Sequence, residues 1–347
     1  MRNTKIEWAE KVWNPVTGCS QVSLGCANCY AERQAKRFWG TRSFHDVLIH
    51  ADRFQAPIRW KNPAIVFVNS VSDLFHPTVK TSTLIELFEI MQKAKQHTFL
   101  ILTKRAKRME HEVNTNIAPH FGDSWPLENV WLGVSVEDQI RADERIPSLL
   151  KTNVAHRFLS CEPLLGSVNL TQYLEECFCS NCTETLNDEI PGNCNCGEHT
   201  PSLVEWVIVG GESGIRARPL HPRWVYSLRD QCLKASIPFY FKQWGEFISR
   251  YECKTMNLEK EIPGWELRPE YQHLADELRS LKHWGALGND GTYYEYSTTF
   301  NSSEYDPDND YEVTVYRVGK RNAGNLLGSN KCVCSPSSMQ KPSSVGK

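Results

Sequence analysis

Three cysteines crowd one short stretch, Gly18-Cys19-Ser20-Gln21-Val22-Ser23-Leu24-Gly25-Cys26-Ala27-Asn28-Cys29-Tyr30. Three thiolates can hold three irons of a cubane iron–sulfur cluster and leave the fourth iron with an open position, whereas four would close it. An open iron binds a small molecule directly and passes it an electron. Gly18 and Gly25 let the backbone wrap closely around a bulky inorganic group. The alternatives are a zinc knuckle completed by a distant histidine, or thiols with no metal. Zinc sites usually recruit two paired knuckles, and no second Cys-x-x-Cys or matching histidine lies nearby.

A second group, Cys177, Cys179, Cys182, Cys194, Cys196 and His199, falls within 23 positions. Cys179-x2-Cys182 and Cys194-x-Cys196 flank eleven residues, close to a zinc ribbon, and four ligands suffice to fold so small a module. The expected set is Cys179, Cys182, Cys194 and Cys196 around a structural zinc, with Cys177 and His199 as spare ligands. A reduced, metal-free loop is the alternative.

The elements that must position these groups are legible as short apolar runs: Ala64–Val68, Phe99–Leu102, Val130–Val136, Arg157–Leu159, Val204–Val209 and Pro238–Phe241. Most are continuous rather than alternating, as in parallel strands covered on both faces. A short first strand near Val12–Asn14 gives six or seven βα units. Between them, Thr81 and Ser82 can cap a helix carrying Leu84, Leu87, Phe88 and Met91 on one face. Glu137–Leu150 reads as a second helix that Pro147 must kink or end. Pro222 suits the first turn of a third, running through Leu233.

The fold class is therefore α/β, a parallel (β/α) barrel, partly open, with a small Cys-rich insertion; an open doubly wound sheet is the alternative. The barrel-like domain spans residues 1–246 with the insertion at 176–201. A C-terminal α+β extension at 247–328 and a Ser/Lys-rich disordered tail at 329–347 follow.

In either architecture functional residues lie at the carboxyl ends of the strands. There the sequence places Asn69, Ser70 and Asp73; Thr103, Lys104 and Arg105; Ser135 and Glu137; Ser160 and Glu162; Glu212 and Arg216; Lys242 and Gln243. Carboxylates suit amines and ribose hydroxyls, and cations suit carboxylate or phosphate. Asn69, Asp73, Lys104, Arg105, Arg216 and Lys242 are the candidates for substrate or anion. Gly210 and Gly211 let the main chain approach a ligand, with Glu212 beside it. The competing reading is that each carboxylate caps the next helix or pairs with a neighbouring base. Lys107 and Arg108 read as a solvated helix face, and Tyr240, Trp224 and Trp244 as buried aromatics rather than base-stacking platforms.

The bulk numbers exclude other classes. Formal charge is −2, from 39 basic and 41 acidic side chains, so the chain is no histone-like polycation. No apolar run approaches the roughly 18 residues of a membrane span, and the first residues lack a secretory signal. A reducing cytoplasm is expected, where an odd count of 13 cysteines points to metal ligands or free thiols rather than disulfides.

A cysteine triad after the first strand of a βα barrel resembles the radical SAM superfamily, which cleaves S-adenosylmethionine (SAM) with an open 4Fe–4S cluster. More closely, Trp13-Asn14-Pro15-Val16-Thr17-Gly18-Cys19 through Cys29-Tyr30-Ala31-Glu32 resembles an uncharacterised phage- and bacteria-associated family, the three-Cys-motif proteins. Ser72-Asp73-Leu74-Phe75, Gly133-Val134-Ser135-Val136-Glu137, Ser160-Cys161-Glu162-Pro163-Leu164, Gly210-Gly211-Glu212-Ser213-Gly214, Lys242-Gln243-Trp244-Gly245 and Val318-Gly319-Lys320-Arg321-Asn322-Ala323-Gly324 match too. The resemblance covers most of residues 4–327 and carries no known reaction.

The radical SAM likeness implies cluster ligation by Cys19, Cys26 and Cys29. It implies SAM contacts at Ser135 and Glu137, with Ser160, Glu162, Gly210, Gly211 and Glu212 as further cofactor contacts. An electron donor is a required partner, and a nucleotide or nucleic acid is the expected substrate class. Departures are clear: the spacing is C-x6-C-x2-C rather than C-x3-C-x2-C, Asn28 replaces the aromatic residue usual before the last cysteine, and Asn69-Ser70-Val71-Ser72-Asp73 replaces Gly-Gly-Glu. The rival function is a non-catalytic, zinc-stabilised nucleic-acid-binding protein.

Overall fold

The computed structural model describes residues 4, 6–174, 204–249, 284–288, 293–295, 312–317, 320, 325–327, 330–332 and 334–336. The strands in chain order are β1 (Lys11–Trp13), β2 (Val16–Thr17), β3 (Leu48–Ile49), β4 (Ile65–Val68), β5 (Thr98–Thr103), β6 (Val130–Ser135), β7 (His156–Cys161), β8 (Trp206–Gly210) and β9 (Phe239–Gln243). Seven of them form one parallel sheet in the order β1-β4-β5-β6-β7-β8-β9. Spatial order follows chain order, as repeated βα crossovers of one hand require. β2 and β3 pair separately and antiparallel, and carry the cysteine loop between β1 and β4.

The sheet is curled into a half-barrel. β4 and β8 stand four places apart, which in a flat sheet is about 19 Å at roughly 4.8 Å per strand. Yet the Trp8 ring lies 4.7 Å from Phe67 of β4 and 6.3 Å from Trp206 of β8. One indole touches both only because the sheet bends around it. Among the described residues β1 and β9 do not pair, so the barrel stays open.

Side chains alternate between the two faces of each strand. Phe67, Leu100, Trp131, Phe158, Trp206, Ile208 and Tyr240 form the inner cluster with Trp8 and Ala9. The intervening residues, such as Val66, Ile101, Leu132, Val134, Leu159, Val207 and Phe241, join a larger cluster with the helices outside. Both faces are covered, which is why the strands read as continuous apolar runs. Continuing the inner positions toward the carboxyl ends gives Asn69, Lys104, Ser135, Ser160, Glu162, Gly210 and Lys242. The interior thus grades from an aromatic floor to a polar mouth.

The helices are α1 (Tyr30–Phe38), α2 (Thr81–Lys93), α3 (Ala106–Glu112), α4 (Gln139–Lys151) and α5 (Pro222–Lys234). Leu84, Leu87, Phe88 and Met91 of α2 are all buried. The expected caps need correcting: Lys80 occupies the capping position without a side-chain bond, and Thr81 donates to Glu112 Oε2 at 2.9 Å. α4 begins at Gln139, after Asp138 accepts from the Arg141 amide at 2.8 Å, and it runs through Pro147 to Lys151. Pro147 does not end it.

Beyond β9 the described residues form a second sheet from β10 (Phe247–Ser249), β11 (Trp284–Gly288), β12 (Tyr293–Glu295) and β13 (Glu312–Arg317), in the order β10-β13-β11-β12 and antiparallel throughout. The start of the expected tail also needs correcting. β14 (Leu326–Leu327) pairs with β15 (Asn330–Lys331), and Cys332 and Cys334 then run antiparallel along β9. Phe241 N–H donates to the Cys332 carbonyl at 2.7 Å, and the Cys334 N–H to the Phe239 carbonyl at 3.1 Å. An unpaired sheet edge invites association, and backbone pairing covers it. The Cys-rich insertion, with Cys177, Cys179, Cys182, Cys194, Cys196 and His199, lies outside the described residues.

Candidate functional site

The cysteine loop leaves β2 at Gly18, whose φ of +94° suits glycine and whose added Cβ would lie 2.4 Å from the Asp46 carbonyl. The Cys19 amide donates to the Phe44 carbonyl at 2.9 Å, and a single turn, Leu24–Cys26, leads to Cys29 at the start of α1. Cys19, Cys26 and Cys29 are all free thiols of intermediate burial.

Two carboxylates from strand ends pin this loop. Glu137, after β6, is fully buried; Ser23 Oγ donates to its Oε1 at 2.7 Å, and Lys104 Nζ lies 2.8 Å from the same oxygen. Arg145 of α4 takes Oε2 at 2.7 Å. Burial alone would raise this carboxyl, but Lys104, Arg145 and the hydrogen bonds from Lys104 and Ser23 outweigh it and hold it down at about 2. Gly25 sits against the same group, since an added Cβ would lie 2.4 Å from Oε1.

Glu212, after β8, forms the second pin. Asn28 Nδ2 donates to its Oε2 at 3.0 Å, Arg218 Nε to the same atom at 3.0 Å, and Arg218 NH2 reaches the Leu24 carbonyl at 3.0 Å. Asn28 thus occupies the place of the expected aromatic residue with an anchoring task. Asp73 ties the beginning of the loop: Arg105 NH1 lies 2.9 Å from its Oδ2 and 3.6 Å from Cys19 Sγ, while Arg105 NH2 donates to Ser20 O and Oγ, both at 2.9 Å. His76 Nε2 lies 2.8 Å from the same hydroxyl. Thr103 and the Lys104 amide also donate to Asp73, at 2.7 and 3.1 Å.

On the inner wall Ser135 and Ser160 are register neighbours, both buried. Lys242 Nζ contacts both oxygens of Glu162, at 2.7 and 2.8 Å. An added Cβ on Gly210 would stand 3.4 Å from Glu162, and one on Gly211 only 2.0 Å from the Trp244 carbonyl, so Gly211 serves close packing of its own chain. Asn69 is buried with φ of 60°, its Oδ1 accepting from the Val16 amide. Arg216 is exposed and gives its carbonyl to Asn28 at 2.6 Å.

The strand ends therefore do converge, but Asp73, Glu137, Glu162 and Glu212 each face a cation from the chain itself. The pairing alternative describes them, and Lys104, Arg105 and Lys242 are engaged internally. Arg108 is corrected too: it donates to the Phe75 carbonyl at 3.2 Å and pairs with Glu112 at 3.2 Å rather than standing on a solvated face. Trp224 and Trp244 are core residues. Sequence reading missed Arg145, although a signal existed: it falls on the apolar stripe of Ala142, Ile146 and Leu149, where a cation demands a buried partner.

The donor chemistry fits a sulfur-ligated cluster: three unpaired thiols on one anchored loop at a polar mouth. Burial, reinforced by Asp73 and opposed by Arg105, pushes the Cys19 thiol up to about 11, and burial raises Cys29 as well. As thiols they are protonated at neutral pH, so a metal bound there would displace protons. Among the described residues no group of three or more His, Cys, Asp and Glu side chains stands close enough to hold a single metal ion.

Fold and site together define an α/β half-barrel protein with an anchored three-cysteine loop at its mouth. A family model described as a protein of unknown function, DUF5131, matches residues 3–332, so the chain belongs to that uncharacterised family. No curated protein and no solved structure matches it. The family match agrees with the expected uncharacterised family and does not extend to the radical SAM superfamily. No helix among the described residues is long and apolar enough to cross a membrane.

Proposed function

We propose that this protein is an iron–sulfur enzyme of the radical SAM type, with Cys19, Cys26 and Cys29 holding a 4Fe–4S cluster and a nucleotide or nucleic acid as substrate. One observation carries the reading: the thiol loop is pinned at two points over the open mouth of a parallel half-barrel, Ser23 on Glu137 and Asn28 on Glu212. A loop with only a structural task at the rim has no need of two buried carboxylates from separate strands. When bound, such a cluster supplies the single electron that cleaves the sulfonium of SAM.

The chain's own residues do the remaining work. Glu137 and Glu212 hold the loop at Ser23 and Asn28, which limits how much chain must be ordered on loading. Ser135, Ser160 and the Glu162–Lys242 pair offer hydroxyls and both charges to orient a polar ligand on the inner wall. Trp8, Phe67, Trp131, Phe158 and Trp206 close the floor and exclude water from below.

Anaerobic purification tests the proposal. The expected protein is brown, absorbs broadly near ~400 nm, contains about four irons and releases 5′-deoxyadenosine from SAM on reduction. Cys29→Ser is expected to abolish colour and iron together. A colourless, iron-free preparation after anaerobic reconstitution overturns the reading; zinc in its place favours a metal-stabilised nucleic-acid-binding protein.

A further inference from the structure

Of the strand-end cations, Lys104 pairs with Glu137, Arg105 with Asp73 and Lys242 with Glu162, and Arg108 and Arg218 pair likewise with Glu112 and Glu212, while Arg216 stays exposed. The other basic groups at the surface beside the mouth lie on α1. Residues 30–38 hold Arg33, Lys36 and Arg37, all exposed, against the single acid Glu32, in a chain whose overall charge is −2. They lie on α1, the nine-residue helix whose capping position is Cys29.

Aromatic rings are interleaved with these charges. Phe38 is 69% exposed, and the Arg37 guanidinium lies 5.2 Å from its ring. Trp39, half-buried, is covered by Arg42 at 4.3 Å, whose NH2 donates to the Thr17 and Asp46 carbonyls at 3.0 and 2.5 Å, so Phe38 is the open ring. The patch continues onto the 213–216 loop, because Arg33 donates to the Ser213 carbonyl and Asn28 to that of Arg216. Ile215 and Arg216 are both exposed there. The Lys36–Glu32 pair is a surface i,i+4 contact that contributes little and leaves Lys36 available.

From this arrangement we infer that α1 and the 213–216 loop form a docking surface for single-stranded nucleic acid, leading a strand toward the cysteine loop. Guanidinium and ammonium groups meet phosphates without regard to sequence, and open aromatic rings stack bases. An acidic protein would satisfy the charges but has no use for the open phenyl ring of Phe38 beside Arg37. A helix of nine residues is about 14 Å long, so a strand on Phe38 lies within a few nucleotides of Cys29. The inference rests on the proposed substrate class and names where that substrate binds.

Fluorescence anisotropy of the full chain with a labelled strand of about 12 nucleotides tests it, using DNA and RNA strands in parallel and an abasic strand as control. Either DNA or RNA should bind, about 10-fold more tightly than the abasic strand. Phe38→Ala should weaken binding by about 10-fold. Lys36→Ala with Arg37→Ala should weaken it and reduce the log–log salt slope by about 1.4. These side chains are exposed, so melting temperatures should match wild type. Binding unaffected by both variants, an abasic strand bound as tightly as the others, or stronger binding of polyglutamate overturns the inference; the last result identifies an acidic protein as the occupant. Anisotropy needs no iron. Strand binding without iron would therefore refute the cluster alone, and iron without strand binding would refute this surface alone.

Discussion

Glu137 shows what one buried carboxylate does when two cations and a hydroxyl face it. Its neighbours Lys104 and Arg145 are also withdrawn from water, Arg145 almost completely. Breaking a buried charge set by removing one member costs more than the set contributes, because the remaining charge has nowhere to go. Glu137→Gln is expected to destabilise the fold by about 3–5 kcal/mol in urea denaturation. The pH dependence has a definite sign. A carboxyl held at about 2 in the folded chain, against an ordinary 4.5, contributes stability that is complete above 4.5 and lost as pH falls toward 2. The variant should lose less stability than wild type across that interval; parallel losses in urea midpoints would refute the role given to Glu137.

At the scale of elements, the half-barrel depends on an aromatic floor in which Trp8 touches both β4 and β8, and on glycines that let loops approach closely. Trp8→Ala leaves a cavity between Phe67 and Trp206 and is expected to cost about 3–5 kcal/mol, measurable by the same denaturation. Gly25→Ala has a more local consequence. Its methyl group would enter the space of the Glu137 carboxylate, 2.4 Å away, so the Leu24–Cys26 turn must lift from β6. The expected outcome is a folded protein whose Cys26 is alkylated several-fold faster than in wild type, read by mass spectrometry of iodoacetamide-treated protein. An unchanged alkylation rate would show that the loop is not held by that contact.

For the whole molecule, the notable closure is that of the sheet edge by a segment near the end of the chain. Cys332 and Cys334 occupy the outer side of β9, and the Cys334 carbonyl also accepts from Trp206 Nε1 at 2.9 Å. Deleting residues 330–347 strips β9 of those bonds and leaves a buried indole donor without its acceptor, at a cost of about 1–3 kcal/mol for the donor alone. The truncated chain is expected to melt earlier and to self-associate through the bared edge, which light scattering detects. A monomeric truncation with wild-type melting would show that the edge needs no cover.

The amino-acid sequence by itself determined the strands, their parallel direction and the place of the cysteine loop, because these depend on local apolar runs, turn residues and chain direction; barrel or doubly wound order was decided by the tertiary structure. All seven sheet strands fall at or within two residues of the apolar runs read from the chain. Which polar residues remained free was beyond its reach. Glu137 meets Ser23, Lys104 and Arg145, residues 114, 33 and 8 positions away, only because curling brings strand ends, loop and helix to one point. Charge partnership is a matter of distance in space, so the tertiary structure alone decided that the strand-end carboxylates clamp the thiol loop and that the surface cations lie on α1.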